Sequence, residues 1–499
     1  MKKIYSSVCV LMLSVTITFA QQTPLEKNNY SQITSYGELS GFVNELDKSS
    51  DLLTVEIIGK SVENRNLYVM KFSNTEFGKD ENKISVLIFA QQHGNEQSGK
   101  EGALLLASNL LKPENRYLFE KIDFALIPQM NPDGSEKNMR RNGNDADLNR
   151  NHLILTEPET IALHKLFDKY LFEATMDVHE YFPYGDTWKN YGARFNNDEE
   201  IGTNTNINVS DEIRNFQKKK YLSFIKNYLN ERRFTYFEYS PGGPPEIDYI
   251  RHSTFDINDG RQSLGIQNTF SFIQEGLNGK DNFVDNIRHR AEGQMTGMIG
   301  LLEFCFNYKD EIKNLVQKER EKLISNDVPN NVAVQLEHFP DGSKLELPLL
   351  SYYSNNDTIV TVNDYRPAVK SIYNVQRPKG YLIPKSLLEI IEWTDKHSLT
   401  YSNYKKSDDE QIEQYYISRI DSMDFERDTV VDPAVEVKEI KKSFREDEYI
   451  FIPVSQLKNN LIVTALEPKS EIGLVTYKKF EYLLNVGKDF PILRVVSRQ

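Results

Sequence analysis

From about Val55 to Tyr308, short β-branched and apolar runs alternate with longer amphipathic ones, and no other feature of the sequence constrains the fold as much. Strands that alternate with helices cross over through them, which builds a central sheet with helices on its faces. The runs "ISVLIFA", "DFALIPQ", "EATMDV" and "NTFSFIQ" predict strands. The stretches "GKEGALLLASNLL", "EPETIALHKLFDKYLF" and "DEIRNFQKKKYLSFIKNYLNE" carry apolar residues at three-to-four spacing and predict helices. In such α/β sheets ligands bind beyond the carboxyl ends of the strands.

The character changes further on. A charge-rich helical stretch, "FNYKDEIKNLVQKEREKLI", runs out at "SNDVPNN", where Pro329 and its asparagine neighbours predict a linker over 327–331. Beyond it, "VAVQLEHF", "YIFIPV", "NLIVTALE", "IGLVTY" and "PILRVV" read as strand-length apolar runs, with "KSLLEIIEWTDKH" as the main helix. The expected organisation is therefore an α/β domain over 21–326 and a β-rich domain over 332–499.

Residues 1–20, "MKKIYSSVCVLMLSVTITFA", have the charged start, apolar middle and small-residue end of a secretory signal peptide, which predicts an exported protein with no membrane segment after cleavage. Removal takes Cys9 with it and leaves Cys305 alone, so no intrachain disulfide can form; its apolar helical context predicts a buried structural thiol. The net charge of −13 becomes −15 once Lys2 and Lys3 are gone. A chain this acidic is repelled by phosphate backbones, which argues against nucleic-acid binding.

The chemistry starts at "FAQQHGNEQSGKEG". His93 and Glu96 stand where a predicted strand ends, and Gly94 and Asn95 let the chain turn so that both side chains point to one place. A strand-to-helix turn would look much the same. The pair gains meaning from His179, which closes "EATMDVHEY" at a second strand end, because catalytic zinc is usually held by three nitrogen or carboxylate ligands with a fourth position open. Downstream of "NPDG", itself good turn chemistry, the segment "RRNGNDADLNRN" puts Arg140, Arg141 and Arg150 within eleven residues of an acidic chain. Guanidinium forks pair bidentately with carboxylates.

Taken in order, "HGNE", "NPDG", "RRNGNDADLNRN", "DVHEY" and "FIQEG" resemble the zinc carboxypeptidases related to carboxypeptidase A, over roughly Tyr36 to Phe304. The resemblance implies one zinc ion per chain on His93, Glu96 and His179, with Glu275 as general base. It implies Arg140, in an Arg-x-Asn pattern, as the arginine that polarises the scissile carbonyl. Asn149 and Arg150 match the pair that receives a terminal carboxylate, and Asp147 matches the aspartate that orients the first histidine. The family also supplies a mobile tyrosine upstream of its glutamate. Here the region is "PPEIDYIRHSTFDINDGRQSLGIQN", with Tyr249 nearby, and Asp256, Asp259 and Arg261 either shape a pocket or form a turn on Gly260. His152 and His164 read as hydrogen-bonded or exposed, and His252, His289, His338 and His397 lack partners at ligand spacing. The implied activity is hydrolysis of the last bond of a peptide that carries a free C-terminal carboxylate. Two alternatives share these residues: a zinc amidase or deacylase acting on cell-wall peptides or acylated amino acids, and a binding protein that keeps the fold.

Overall fold

The computed structural model describes residues 21–280, 284–425, 428–440 and 445–498; the expected signal peptide lies outside them. Its centre is one eight-stranded sheet. The strands are β1 (Leu53–Lys60), β2 (Asn66–Phe72), β3 (Ile84–Ala90), β4 (Ile122–Ile127), β5 (Ala174–Tyr181), β6 (Glu199–Gly202), β7 (Tyr236–Glu238) and β8 (Phe270–Leu277), in the spatial order β1-β2-β4-β3-β5-β8-β6-β7. The middle four, β4-β3-β5-β8, run parallel. The pairs β1-β2, β2-β4 and β8-β6 are antiparallel, so the sheet is mixed.

Strand alternation explains the layers. Val86, Ile88 and Ala90 of β3, with Met176 and Val178 of β5, pack against helices α1 (Gln97–Leu110) and α4 (Ile287–Asn307). Leu87 and Phe89 point the other way, into a core with Leu163, Leu166 and Phe167 of α2 (Pro158–Tyr170) and Leu264 of the short helix α3 (Gly260–Gly265). Both faces are covered, which is why β3 and β4 read as near-continuous apolar runs, interrupted by Ser85 and Asp123. Cys305 lies fully buried on α4, and burial pushes its thiol pKa up, consistent with a structural role. The charge-rich helix is α5 (Lys309–Ser325), separated from α4 at Tyr308.

The C-terminal part contains a six-stranded sheet, ordered Ser402–Asn403, Tyr449–Pro453, Gly380–Pro384, Lys488–Ser497, Glu410–Phe425 and Asp428–Glu439. Helix α6 (Leu388–Lys396) arises from "KSLLEIIEWTDKH" as expected. Two expectations are corrected. "NLIVTALE" is not a strand but helix α7 (Asn459–Leu466), and "IGLVTY" contains a short 3-10 turn, Leu474–Thr476. Every residue of α7 is buried, Asn459, Asn460 and Thr464 included, and a helix with no exposed face shows the same continuous apolar run, here Leu461–Val463, as a core strand.

This part is also stitched to the first. Strand Leu345–Ser351 pairs with Ala193–Arg194, and Tyr365–Arg366 pairs with Ile250–Arg251. From α6 and its cap, Trp393 Nε1 and His397 Nε2 donate to the Leu153 carbonyl at 2.8 and 2.7 Å. Asn258 Nδ2 donates to Tyr477 Oη at 3.2 Å. Among the described residues no helix is long and apolar enough to cross a membrane.

Candidate active site

The turn after β3 is held by the neighbouring loop. A Cβ on Gly94 would sit 2.2 Å from the Gly134 carbonyl carbon and 2.4 Å from Ser135 N, so this position admits no side chain unless the backbone moves. Asn131 of "NPDG" caps its own short helix by accepting from Gly134 N at 2.8 Å, and its Nδ2 donates to Gln92 O at 3.0 Å. "HGNE" and "NPDG" are thus two halves of one close backbone approach.

That approach brings three donor atoms together. His93 Nδ1 lies 2.7 Å from Glu96 Oε1 and 3.1 Å from His179 Nδ1, and Glu96 Oε2 lies 2.9 Å from His179 Nδ1. Candidate ligand atoms of the three residues all lie within 4.8 Å of one another, and all three residues are buried. Bonds of 2.0–2.1 Å to a tetrahedral zinc would separate its ligands by roughly 3.4 Å. The donor set and spacing therefore fit zinc. Two imidazole nitrogens and a carboxylate turned toward one point also leave lone pairs that a cation would satisfy.

The far sides of both rings are fixed. His93 Nε2 faces Asp147 Oδ1 at 3.2 Å, and His179 Nε2 faces Asp177 Oδ1 at 2.9 Å. Gln92 Nε2 donates to Asp177 Oδ2 at 2.7 Å, while His152 Nε2 sits 2.7 Å from Gln92 Oε1. Burial alone would raise the Asp147 pKa, but His93, Arg140 and Arg150 hold it well below the usual carboxylate range. Such carboxylate–imidazole pairs set the tautomer and aim the other nitrogen at the metal.

Arg140 Nε donates to Asp147 Oδ2 at 3.0 Å and its Nη1 lies 3.6 Å from Glu96 Oε1, at the mouth of the cleft. Arg141 turns away and donates to the Asp145 carbonyl. Asn149 and Arg150 line the same cleft. Asn149 Oδ1 accepts from Gly260 N at 2.8 Å, and its Nδ2 lies 3.3 Å from His179 Nε2, which ties the loop to α3 and to the histidine.

Glu275 enters through strand register. It stands opposite His179 on the parallel neighbour β5 and opposite Glu200 on the antiparallel neighbour β6. Opposed residues share a face of the sheet, so His179, Glu275 and Glu200 form a row across three adjacent strands. Burial, more than any neighbour, raises the Glu275 pKa to about 7, and burial together with Glu275 raises Glu200 to about 8. The cleft has a volume of about 410 Å³, and Tyr239, Trp188, Phe195 and Ile273 also line it.

All eight sequence-derived site residues thus gather at one cleft or directly behind it. Four residues were missed. Asp177 could have been found, since it sits two before His179 on a strand and so shares its face. Gln92, Glu200 and Tyr239 carry no local signal. Tyr249 does not line the cleft; the Arg366 guanidinium lies 4.0 Å from its ring centre. Asp259 caps α3 through Gln262 N and also pairs with Arg261, whose fork is bound to Thr254 and Ser253. His152 and His164 are buried behind the site and hydrogen-bonded to each other at 3.1 Å, and neither joins the ligand cluster.

Comparison with known proteins settles the type of domain. Residues 40–234 match the family model described as zinc carboxypeptidase. This segment is a zinc carboxypeptidase domain. Carboxypeptidase 2 of Trichophyton rubrum is 22% identical over 486 residues, covering 92% of this chain and 86% of its own length. Carboxypeptidase D of Mus musculus is 29% identical over 255 residues, 44% of this chain and 18% of that protein. Among solved structures, a metallo-carboxypeptidase from Burkholderia cenocepacia superposes with a TM-score of 0.43 at 18% identity, covering 55% of this chain and 70% of that one. In this carboxypeptidase domain, the candidate metal cluster is formed by the two strand ends and the turn that the motifs mark.

Proposed function

We propose that this chain is an exported metallocarboxypeptidase that removes the C-terminal residue of peptides, with Glu275 as general base. The observation that carries the reading is the meeting, in one cleft, of a three-donor metal cluster with the Asn149–Arg150 pair. His93, Glu96 and His179 would hold one zinc ion. When bound, zinc supplies Lewis acidity, which makes water a nucleophile near neutral pH and polarises a carbonyl.

The chain's own residues do the rest. Arg150 and Asn149 receive the substrate's terminal carboxylate by charge-assisted hydrogen bonds, which leaves the last peptide bond beside Glu275. Glu275 takes a proton from the attacking water as the new C–O bond forms, and returns it to the amine nitrogen as the C–N bond breaks. Its buried setting holds its basicity between those of water and the leaving amine. Arg140, held by Asp147, stabilises the negative charge that develops on the carbonyl oxygen. Asp147 and Asp177 keep the two imidazoles in register. Export rests on the signal-peptide character of residues 1–20.

Metal analysis followed by Glu275→Gln tests the mechanism. The purified protein should contain zinc, lose activity on chelation and regain it on zinc addition. Glu275→Gln should keep its zinc while kcat falls by on the order of 10²- to 10⁴-fold. A protein without zinc, or a variant with full turnover, would show the mechanism to be wrong.

A further inference from the structure

His152 stands outside the metal cluster, yet a run of hydrogen bonds joins it to the neighbour of the ligand His179. Gln92 is the middle link. Its Nε2 faces two acceptors, Asp177 Oδ2 at 2.7 Å and Asn149 Oδ1 at 3.2 Å, and Asn149 Oδ1 is itself turned to the Gly260 N–H. The amide is therefore oriented, and its Oε1 needs a donor. His152 Nε2, 2.7 Å away, is that donor. A neutral imidazole carries one N–H, so His152 Nδ1 accepts, and His164 Nε2 donates to it at 3.1 Å. His164 Nδ1 has no partner among the described residues, so the run starts there.

Every member of this run is enclosed. Gln92, His152, His164 and Asp177 are at most 1% exposed, and burial drives both histidine pKa values down, that of His152 to about 4, so the rings are neutral. A Cβ on Gly260 would sit 2.5 Å from Asp177 Oδ2 and 2.7 Å from Gln92 Nε2, which leaves that pair no room to turn. The run thus passes a fixed polarity from His164 to Asp177, whose Oδ1 faces His179 Nε2 at 2.9 Å. His179 then keeps its N–H on Nε2 and turns Nδ1 toward His93 and Glu96.

The C-terminal part grips the segment that carries the two histidines. The carbonyl of Leu153, next to His152, accepts from both Trp393 Nε1 and His397 Nε2. Lys458 Nζ pairs with Asp168 Oδ1 at 2.7 Å, on the helix α2 that bears His164, and donates to the His397 carbonyl at 2.7 Å. The His397 ring meets the His164 ring edge-on, with centres 5.7 Å apart.

We infer that His152 is a positioning residue for the metal ligand His179, and that the C-terminal part holds His152 in place through Leu153. This rests on the reading that His93, Glu96 and His179 hold zinc, and it gives the C-terminal part a task in the active site. Without the His152 donor, Gln92 Oε1 is buried and unpaired, and the shift that relieves it loosens Asp177 from His179.

Zinc affinity of the full chain, measured by competition with a chromogenic chelator, tests both halves. His152→Phe keeps a ring but no donor, and should loosen zinc by about 10-fold or more. In His152→Gln the amide nitrogen stands where Nε2 stood, so this variant should stay within about 3-fold of wild type; loss of packing alone would not be rescued in this way. His397→Phe, which leaves Leu153 only the Trp393 donor, should loosen zinc by about 3-fold, and His397→Gln should restore it. Equal affinity in wild type and His152→Phe, or an equal loss in His152→Phe and His152→Gln, would overturn the role of His152. Unchanged affinity in His397→Phe would overturn that of the C-terminal part. A second readout needs neither metal nor a folded His152→Phe. Ring-nitrogen spectra of histidine-labelled, metal-free protein should show His152, identified by its loss in His152→Gln, as a neutral ring with its N–H on Nε2. An N–H on Nδ1, or a charged ring at neutral pH, would overturn the inference. A wild type that binds no zinc would overturn the metal reading and this inference with it, whereas tight zinc in wild type and His152→Phe alike would overturn this inference alone.

Discussion

Two glutamates, each more than nine-tenths buried, are treated in opposite ways by the two halves of this molecule. In the C-terminal part, Glu467 accepts from Tyr381 Oη and Tyr415 Oη, both at 2.7 Å, and lies 3.0 Å from Arg494 Nε. In the cleft, Glu200 is bonded by Asn197 and the Ser240 backbone, yet its Oε1 has no partner among the described residues. A third case, Glu471, accepts from Leu336 N at 2.8 Å, and burial raises its pKa to about 8 so that it keeps a proton near neutral pH. Where only packing is at stake, a buried carboxylate is either saturated with donors or left protonated. Glu200, with one oxygen unpartnered among the described residues and its pKa raised to about 8, is treated like Glu471, and what separates it is that it lines a cleft a ligand can enter.

The comparison can be tested by removing each group, with the largest effect at Glu467. Glu467→Ala leaves two tyrosine hydroxyls buried without their acceptor and takes one of two carboxylates from Arg494, which keeps Glu413, and should lower stability by about 3–5 kcal/mol in urea unfolding. A loss under 1 kcal/mol would show that the network is not a stabilising centre. Glu471 should show itself in pH dependence. Its folded pKa is raised above its unfolded value, so its contribution is present below about pH 4.5 and is lost as pH rises through about 8. Replacing it with Gln should remove that part of the slope, at most about 1.4 kcal/mol per pH unit; an unchanged slope between pH 5 and 8 would assign the titration to other groups. Tyr477→Phe removes the acceptor of Asn258, which lies two residues before Gly260, whose N–H holds Asn149. It should cost about 1 kcal/mol, read as a several-fold rise in KM with kcat little changed, and a purely kcat effect would contradict it. The smallest effect belongs to Glu200. Glu200→Gln should leave stability within about 1 kcal/mol or raise it, because an unpaired buried acid is replaced by a neutral isostere.

The same contrast explains what the sequence makes legible. His93 with Glu96, Asp147 with Asn149 and Arg150, and the strand ends at His179 and Glu275 are local patterns. They are readable because a turn or a strand end aims neighbouring residues at one place. Glu200 lies 75 positions before Glu275, and only the antiparallel pairing of β6 with β8 sets them side by side. Tyr477 reaches the site from a different part of the chain, which no spacing could indicate. Helix α7 resembles a strand in sequence for a related reason: burial on every side removes the periodicity that distinguishes helix from strand.

The central claim is that Arg150 and Asn149 hold a free terminal carboxylate while the metal cluster and Glu275 cut the adjacent bond. It is tested most directly by following hydrolysis of one peptide in two forms, with a free C-terminal carboxylate and with a C-terminal amide. The free form should lose its last residue one step at a time, and the amide should be cleaved at least about 100-fold more slowly, the loss expected when a charged group is left without its partner. Equal rates on the two forms, or cleavage within the chain, would contradict the account.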